Sequence, residues 1–124
     1  VELQPDSYEA RNNLGIALLK QGKLQEAISQ FRTALQHNAN DSRAHNNLGI
    51  ALGRQHNLPE AIFHFREALQ LDPAYAEAHN NLAEALRRQG KFNEAHHHFS
   101  EALRINPAYE TARKNYTDNL KNLK

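Results

Sequence analysis

No cysteine occurs in the 124 residues, which excludes disulfides and thiolate chemistry and leaves reducing and oxidising compartments equally open. No sign of charge predominates. The formal net charge is +1 with acids and bases interspersed, so the chain lacks the basic stripe that neutralising a phosphate backbone requires, and nucleic acid is not the expected partner. No apolar run approaches the roughly 20 residues that cross a bilayer, and the opening Val1-Glu2-Leu3-Gln4-Pro5 has no signal-peptide character, so no membrane contact is expected of this segment. The first residue is not methionine, and with this abrupt start further residues are expected before Val1. No nucleophile stands beside a placed base, and neither a glycine-rich phosphate loop nor a pocketed pair of carboxylates can be found. The expectation is therefore no catalytic residue, no cofactor and no metal.

What the sequence does hold is repetition. Asn12-Asn13-Leu14-Gly15-Ile16-Ala17-Leu18 returns as Asn46-Asn47-Leu48-Gly49-Ile50-Ala51-Leu52 and again as Asn80-Asn81-Leu82-Ala83-Glu84-Ala85-Leu86, a period of 34 residues. A period of that length predicts stacked helix pairs. Apolar residues recur at helical spacing in two runs per unit: Ala10, Leu14, Ala17 and Leu18, then Leu24, Ala27, Ile28, Phe31, Ala34 and Leu35. The runs are joined by short polar turns at Gln21-Gly22-Lys23, Gln55-His56-Asn57 and Gln89-Gly90-Lys91, so the paired helices are antiparallel. Pro73 and Pro107 end second helices, Ala39 stands where the matching proline is expected, and Pro59 falls in a first turn, where a missing N–H does little harm.

These residues together resemble the tetratricopeptide repeat family, including the repeat arms of bacterial members and of O-linked N-acetylglucosamine transferases. The family's small residues at helix contacts match Gly15, Gly49 and Ala83, then Ala27, Ala61 and Ala95, then Ala34, Ala68 and Ala102. Its aromatic position matches Phe31, Phe65 and Phe99. The large aromatic usual near the start of the first helix is replaced by Arg11, His45 and His79. The resemblance implies an all-α, right-handed superhelical solenoid of three units and a capping helix. The expected division is 1–7 as the tail of a preceding repeat, 8–41, 42–75 and 76–109 as repeats, and 110–124 as the cap. In the cap, Ala112, Tyr116, Leu120 and Leu123 are expected to form the buried stripe, and the polar remainder is expected to face solvent as the C-terminal end of the array.

The family's concave face is lined by first helices. At about 100° per residue, the second, fifth, sixth, ninth and thirteenth positions share one arc. They are Glu9, Asn12, Asn13, Ile16 and Lys20; Arg43, Asn46, Asn47, Ile50 and Arg54; and Glu77, Asn80, Asn81, Glu84 and Arg88, continued by Lys114, Asn115 and Asp118. Asn13, Asn47, Asn81 and Asn115 occupy one repeated position, and an asparagine can both donate to and accept from a peptide group. With first helices roughly 10 Å apart and an extended peptide advancing about 3.3 Å per residue, one asparagine would meet roughly every third ligand residue. That row resembles the asparagine ladder of the transferase arms and implies a protein or peptide ligand recognised through its backbone. Ile16 and Ile50 make one half of the groove apolar, and Glu84, Arg88 and Asp118 make the other charged. The carboxylate clamp of chaperone-binding family members is not matched: of Asn12, Ile16, Asn47, Glu77 and Asn81, only Asn47 agrees with it.

Eight histidines raise the question of a metal. His96, His97 and His98 point about 100° apart on a helix and cannot converge on one ion. His64 and His98 are expected to approach one another on the outer face, and His96, at the position of Ile28 and Ile62, to be partly buried against the cap and to lend it pH sensitivity. Three functions remain: a binding module with a peptide or helix in its groove, a substrate-recruiting arm of a larger enzyme such as a glycosyltransferase, and a scaffold that self-associates end to end through its N-terminal face.

Overall fold

The computed structural model describes residues 7–123, so all but the last residue of the expected repeat tail 1–7 lies outside them. Seven helices follow one another among the described residues: α1 (Tyr8–Lys20), α2 (Leu24–His37), α3 (Ser42–Arg54), α4 (Leu58–Leu71), α5 (Ala76–Arg88), α6 (Phe92–Ile105) and α7 (Glu110–Leu120). Each packs on its sequence neighbours. The backbones of the odd-numbered helices also approach one another in succession, whereas those of α2, α4 and α6 stay farther apart and are bridged by long side chains, Arg32 to Glu60 and Arg66 to Glu94. A stack whose first helices are closer together than its second helices curves toward the first, and α1, α3, α5 and α7 line the inside of that curve.

The turns within pairs follow from local chemistry. Lys23 N–H reaches back to the Leu18 carbonyl and Gly22 N–H to Leu19, a Schellman closure that needs a left-handed residue, and Gly22 and Gly90 adopt φ of 77° and 79°. His56 takes the same conformation at φ 65° without glycine's freedom. Between pairs, the side chains of Asn38, Asp72 and Asn106 each accept the backbone N–H two residues on, which holds the bend at Ala39 although the proline is missing there.

The core is built by small residues admitting large ones. Phe31 and Phe65 lie so close to Gly15 and Gly49 that a Cβ on either glycine would sit 2.6 Å from the ring. Phe31, Phe99 and the alanines at 27, 34, 61, 68, 95 and 102 are buried, and Leu48, Leu52, Leu82 and Leu86 close the layer between pairs. The cap departs from expectation in its rotation. Ala112 is buried and Tyr116 half-buried, but Leu120 is 43% exposed while Asn119 is fully buried and donates to the Phe92 carbonyl at 2.9 Å. The face of α7 turned to α6 therefore passes through 112, 116 and 119.

Candidate functional site

Of the first-helix residues predicted to face the groove, Glu9, Asn13, Lys20, Arg43, Arg54, Glu77 and Arg88 are exposed. Asn12, Ile16, Asn47, Ile50, Asn81, Glu84 and Asn115 are half-buried. Asn46 and Asn80 are not on the surface: at 4% and 5% exposure they lie beneath it. The helix wheel puts the fifth and sixth positions on one arc, but the next first helix covers the fifth.

That burial produces a chain of amides. Asn46 Nδ2 donates to the Tyr75 hydroxyl (3.3 Å) and Asn80 Nδ2 to that of Tyr109 (3.5 Å). Their carbonyl oxygens accept in turn from the next helix: Asn81 Nδ2 lies 3.0 Å from Asn46 Oδ1, and Asn115 Nδ2 lies 3.1 Å from Asn80 Oδ1. In the first pair, Asn12 donates to Asp41 at 2.8 Å, but its own Oδ1, the counterpart of those acceptors, is buried without a partner. Each of Asn81 and Asn115 thus has its amide orientation fixed by one bond, with its Oδ1 and a second N–H uncommitted. Tyr75, Tyr109 and Asp41, which set this geometry, escape the helix-wheel reading because they stand at helix starts. Burial pushes both tyrosine hydroxyls above their usual range, so they remain neutral partners.

Other predicted groove residues are partly committed. Arg54 donates to the Leu19 carbonyl (3.5 Å) and Arg88 to that of Gly53 (3.4 Å), each neutralising the C-terminal end of the preceding first helix. Arg88 also reaches His56 Nδ1 at 3.1 Å. Glu84 is held by Arg87 at 2.7 Å, so the charged half of the groove carries fewer free acids than the sequence suggests. Two hollows of about 590 Å³ open along the groove, one around Glu9, Asn12, Asn13, Ile16 and Asn47, the other around Arg43, Ile50, Tyr75, Glu77 and Asn81.

The histidines are arranged otherwise than expected. His64 and His98 do not pair with each other; each pairs within its own unit, His64 with His45 and His98 with His79, at 3.0 Å between Nδ1 atoms. Centroid separations of 5.3 Å exceed the nitrogen separations by about one ring radius on either side, so the nearly parallel rings meet head to head rather than stacking. His45 Nε2 lies 3.0 Å from the Ala39 carbonyl and His79 Nε2 3.0 Å from that of Pro73. A carbonyl only accepts, so both Nε2 atoms carry the proton, the facing Nδ1 atoms are bare, and His64 and His98 donate. Burial is the main force lowering the affinity of His64 for a further proton, and burial, followed by electrostatic opposition from the neighbouring His79 ring, pushes His98 down to about 4. Arg11 uses the same position to donate to Gln30 at 3.2 Å. A polar pair across the two helices therefore fills the space where the family's large aromatic is expected. His96 packs against Tyr116 of the cap with centroids 5.0 Å apart, and its Nδ1 is buried without a partner. Among the described residues no group of three or more metal-ligating side chains converges.

Comparison with known proteins agrees with this architecture. A family model described as Tetratricopeptide repeat matches residues 1–44 and 12–76, and a second of that description matches 76–109. The first TPR of Spaghetti (RPAP3), bound to the HSP90 peptide SRMEEVD, superposes with a TM-score of 0.90 at 19% identity, over 98% of this chain and 96% of that one. The Arabidopsis OM64 TPR domain gives 0.91 at 20% identity, over 94% and 96%. No curated protein matches the chain.

Proposed function

The chain belongs to the tetratricopeptide repeat family, and from that premise we propose that it is a protein-interaction module whose concave groove holds an extended segment of a partner polypeptide. The observation that carries the reading is the row Asn13, Asn47, Asn81 and Asn115 at the groove, two of whose amides are oriented by a buried partner while an acceptor and a donor stay uncommitted. A buried polar row with every group paired would be scaffold; a half-satisfied row facing a hollow fits a peptide backbone, which offers one donor and one acceptor per residue. Asn46 and Asn80 belong to this reading as the supports of the row. Support for a peptide as ligand comes also from the similar Spaghetti domain, which holds one. Of the clamp residues only Asn47 is present here, so no chaperone tail is proposed.

Peptides selected from a random phage-displayed library on the intact domain provide the test. Loss of their binding by at least tenfold in Asn47→Ala/Asn81→Ala, with helicity retained, is expected; undiminished binding contradicts the reading.

A second reading, end-to-end association of two copies, has one observation behind it. Leu14 is 48% exposed, whereas Leu48 and Leu82 at the same position of the later units are buried. A dimer in sedimentation velocity that Leu14→Glu abolishes would support it, and a monomer at every concentration would remove it.

A further inference from the structure

The twelfth position differs in every unit: Leu19, Gly53 and Arg87. Leu19 is part of the core, and Arg87 lies half-buried against Glu84. Gly53 supplies nothing. A Cβ built there would meet only the Ala61 methyl at 4.0 Å, and beside it a recess of about 260 Å³ opens between α3 and α5. Ile50, Leu58, Phe65 and Ala85 form its apolar walls, and Arg54, Arg88 and Asn81 stand at its mouth.

We propose that this recess is a side-chain pocket of the groove, which accepts one leucine-class aliphatic side chain from the bound segment and places an acidic neighbour of that residue against Arg54 and Arg88. The proposal rests on the peptide reading above and adds a sequence preference to it. The unit repeat supplies the chemistry of the occupant. In the first unit the same position is filled by the chain's own leucine, which is buried, so the walls around Gly53 suit an aliphatic group that this unit does not provide. Charge decides the neighbour. Glu84, an acid of the recess lining, is engaged by Arg87, while the bonds of Arg54 and Arg88 run to backbone carbonyls and His56, so that among the described residues no carboxylate pairs with either guanidinium. Register agrees as well: Asn81 borders both this recess and the adjoining hollow, so a backbone held by Asn81 passes over the mouth, and alternate side chains of an extended strand point down into it.

Gly53→Leu restores the first unit's residue and closes the pocket. Random dodecapeptides displayed on phage are selected on the wild-type domain, sequenced, and measured on wild type, Gly53→Leu and Asn47→Ala/Asn81→Ala. The expected result is enrichment of Leu, Ile or Met beside Asp or Glu, with at least a tenfold loss of affinity in Gly53→Leu. Replacing the enriched aliphatic by alanine in the peptide should cost a similar factor on wild type and almost nothing on Gly53→Leu, a coupling that a folding defect would not produce. Gly53→Ala, whose added carbon has room, should lose only a few-fold. Peptides that bind Gly53→Leu undiminished but fail on the asparagine variant overturn the pocket and leave the groove. Loss on Gly53→Leu alone supports the pocket and removes the asparagine row. A library without binders overturns both.

Discussion

Two polar rows run along this solenoid at the same period and are used in opposite ways. The pairs His45–His64 and His79–His98 close within a unit, and each first-helix histidine has both ring nitrogens bonded. The amides Asn46, Asn81, Asn80 and Asn115 join one unit to the next and stop at the groove with capacity unused. The difference teaches where to look for function in a repeat array. A polar group satisfied on every side is a structural substitute for an apolar one, and a polar group oriented but incompletely paired is available to a ligand.

The contrast breaks most visibly at the histidines. His79→Ala removes a buried ring, leaves the Pro73 carbonyl and the His98 N–H unpaired, and should cost about 2–4 kcal/mol, read as a large fall in melting temperature by circular dichroism. Peptide binding by the folded fraction should persist.

Acid should act on the same row. The His98 proton affinity is lowered from 6.5 to about 4 in the folded state, so below about pH 6.5 the unfolded chain binds more protons. Stability is complete above that pH and declines as the pH falls toward 4, by on the order of 1–2 kcal/mol for this half-buried, solvent-screened group. Melting curves across pH 7.5 to 4 check the sign, and a midpoint of the His98 imidazole near its unshifted 6.5 would refute it.

At the groove the stability effects should shrink while binding effects grow. Asn81→Ala leaves Asn46 Oδ1 without its donor and should cost about 1 kcal/mol, with a tenfold loss of peptide affinity. Asn47, which makes no equivalent bond to Asn12, should tolerate alanine with less loss of stability. A third row gives the lower limit: Arg32–Glu60 and Arg66–Glu94 tie successive second helices on the exposed outer side at 2.6 and 2.8 Å. The guanidinium beside each carboxyl holds Glu60 and Glu94 below the usual range, yet Arg32→Ala should change stability by only a few tenths of a kcal/mol, less in high salt.

The same rows mark what the sequence discloses. Helix pairing, turn positions and the small and aromatic positions are legible because packing imposes them at fixed spacing, and the structure joins them as the contacts Gly15–Phe31 and Gly49–Phe65. The histidine pairs are less so. Their members stand 19 residues apart on different helices, and only the joint occurrence of polar residues at both positions, as in Arg11 with Gln30, signals them. Asn46, Asn80 and Asn119 were hidden for a related reason: a helix wheel gives directions from one axis and contains nothing of the neighbouring helix that covers a residue. Gly53 reads in the sequence as an irregularity of the repeat, and its recess becomes visible only once Leu58 and Ala85 are placed around it.

The most direct measurement is side-chain amide NMR during titration with a library-selected peptide. With a peptide in the groove, the Nδ2H₂ signals of Asn47, Asn81 and Asn115 should shift together and saturably, while the buried pairs at His45 and His79 stay unmoved. Shifts gathered instead around exposed Phe63 and His97 on the second helices, with the asparagine signals unchanged, would contradict it.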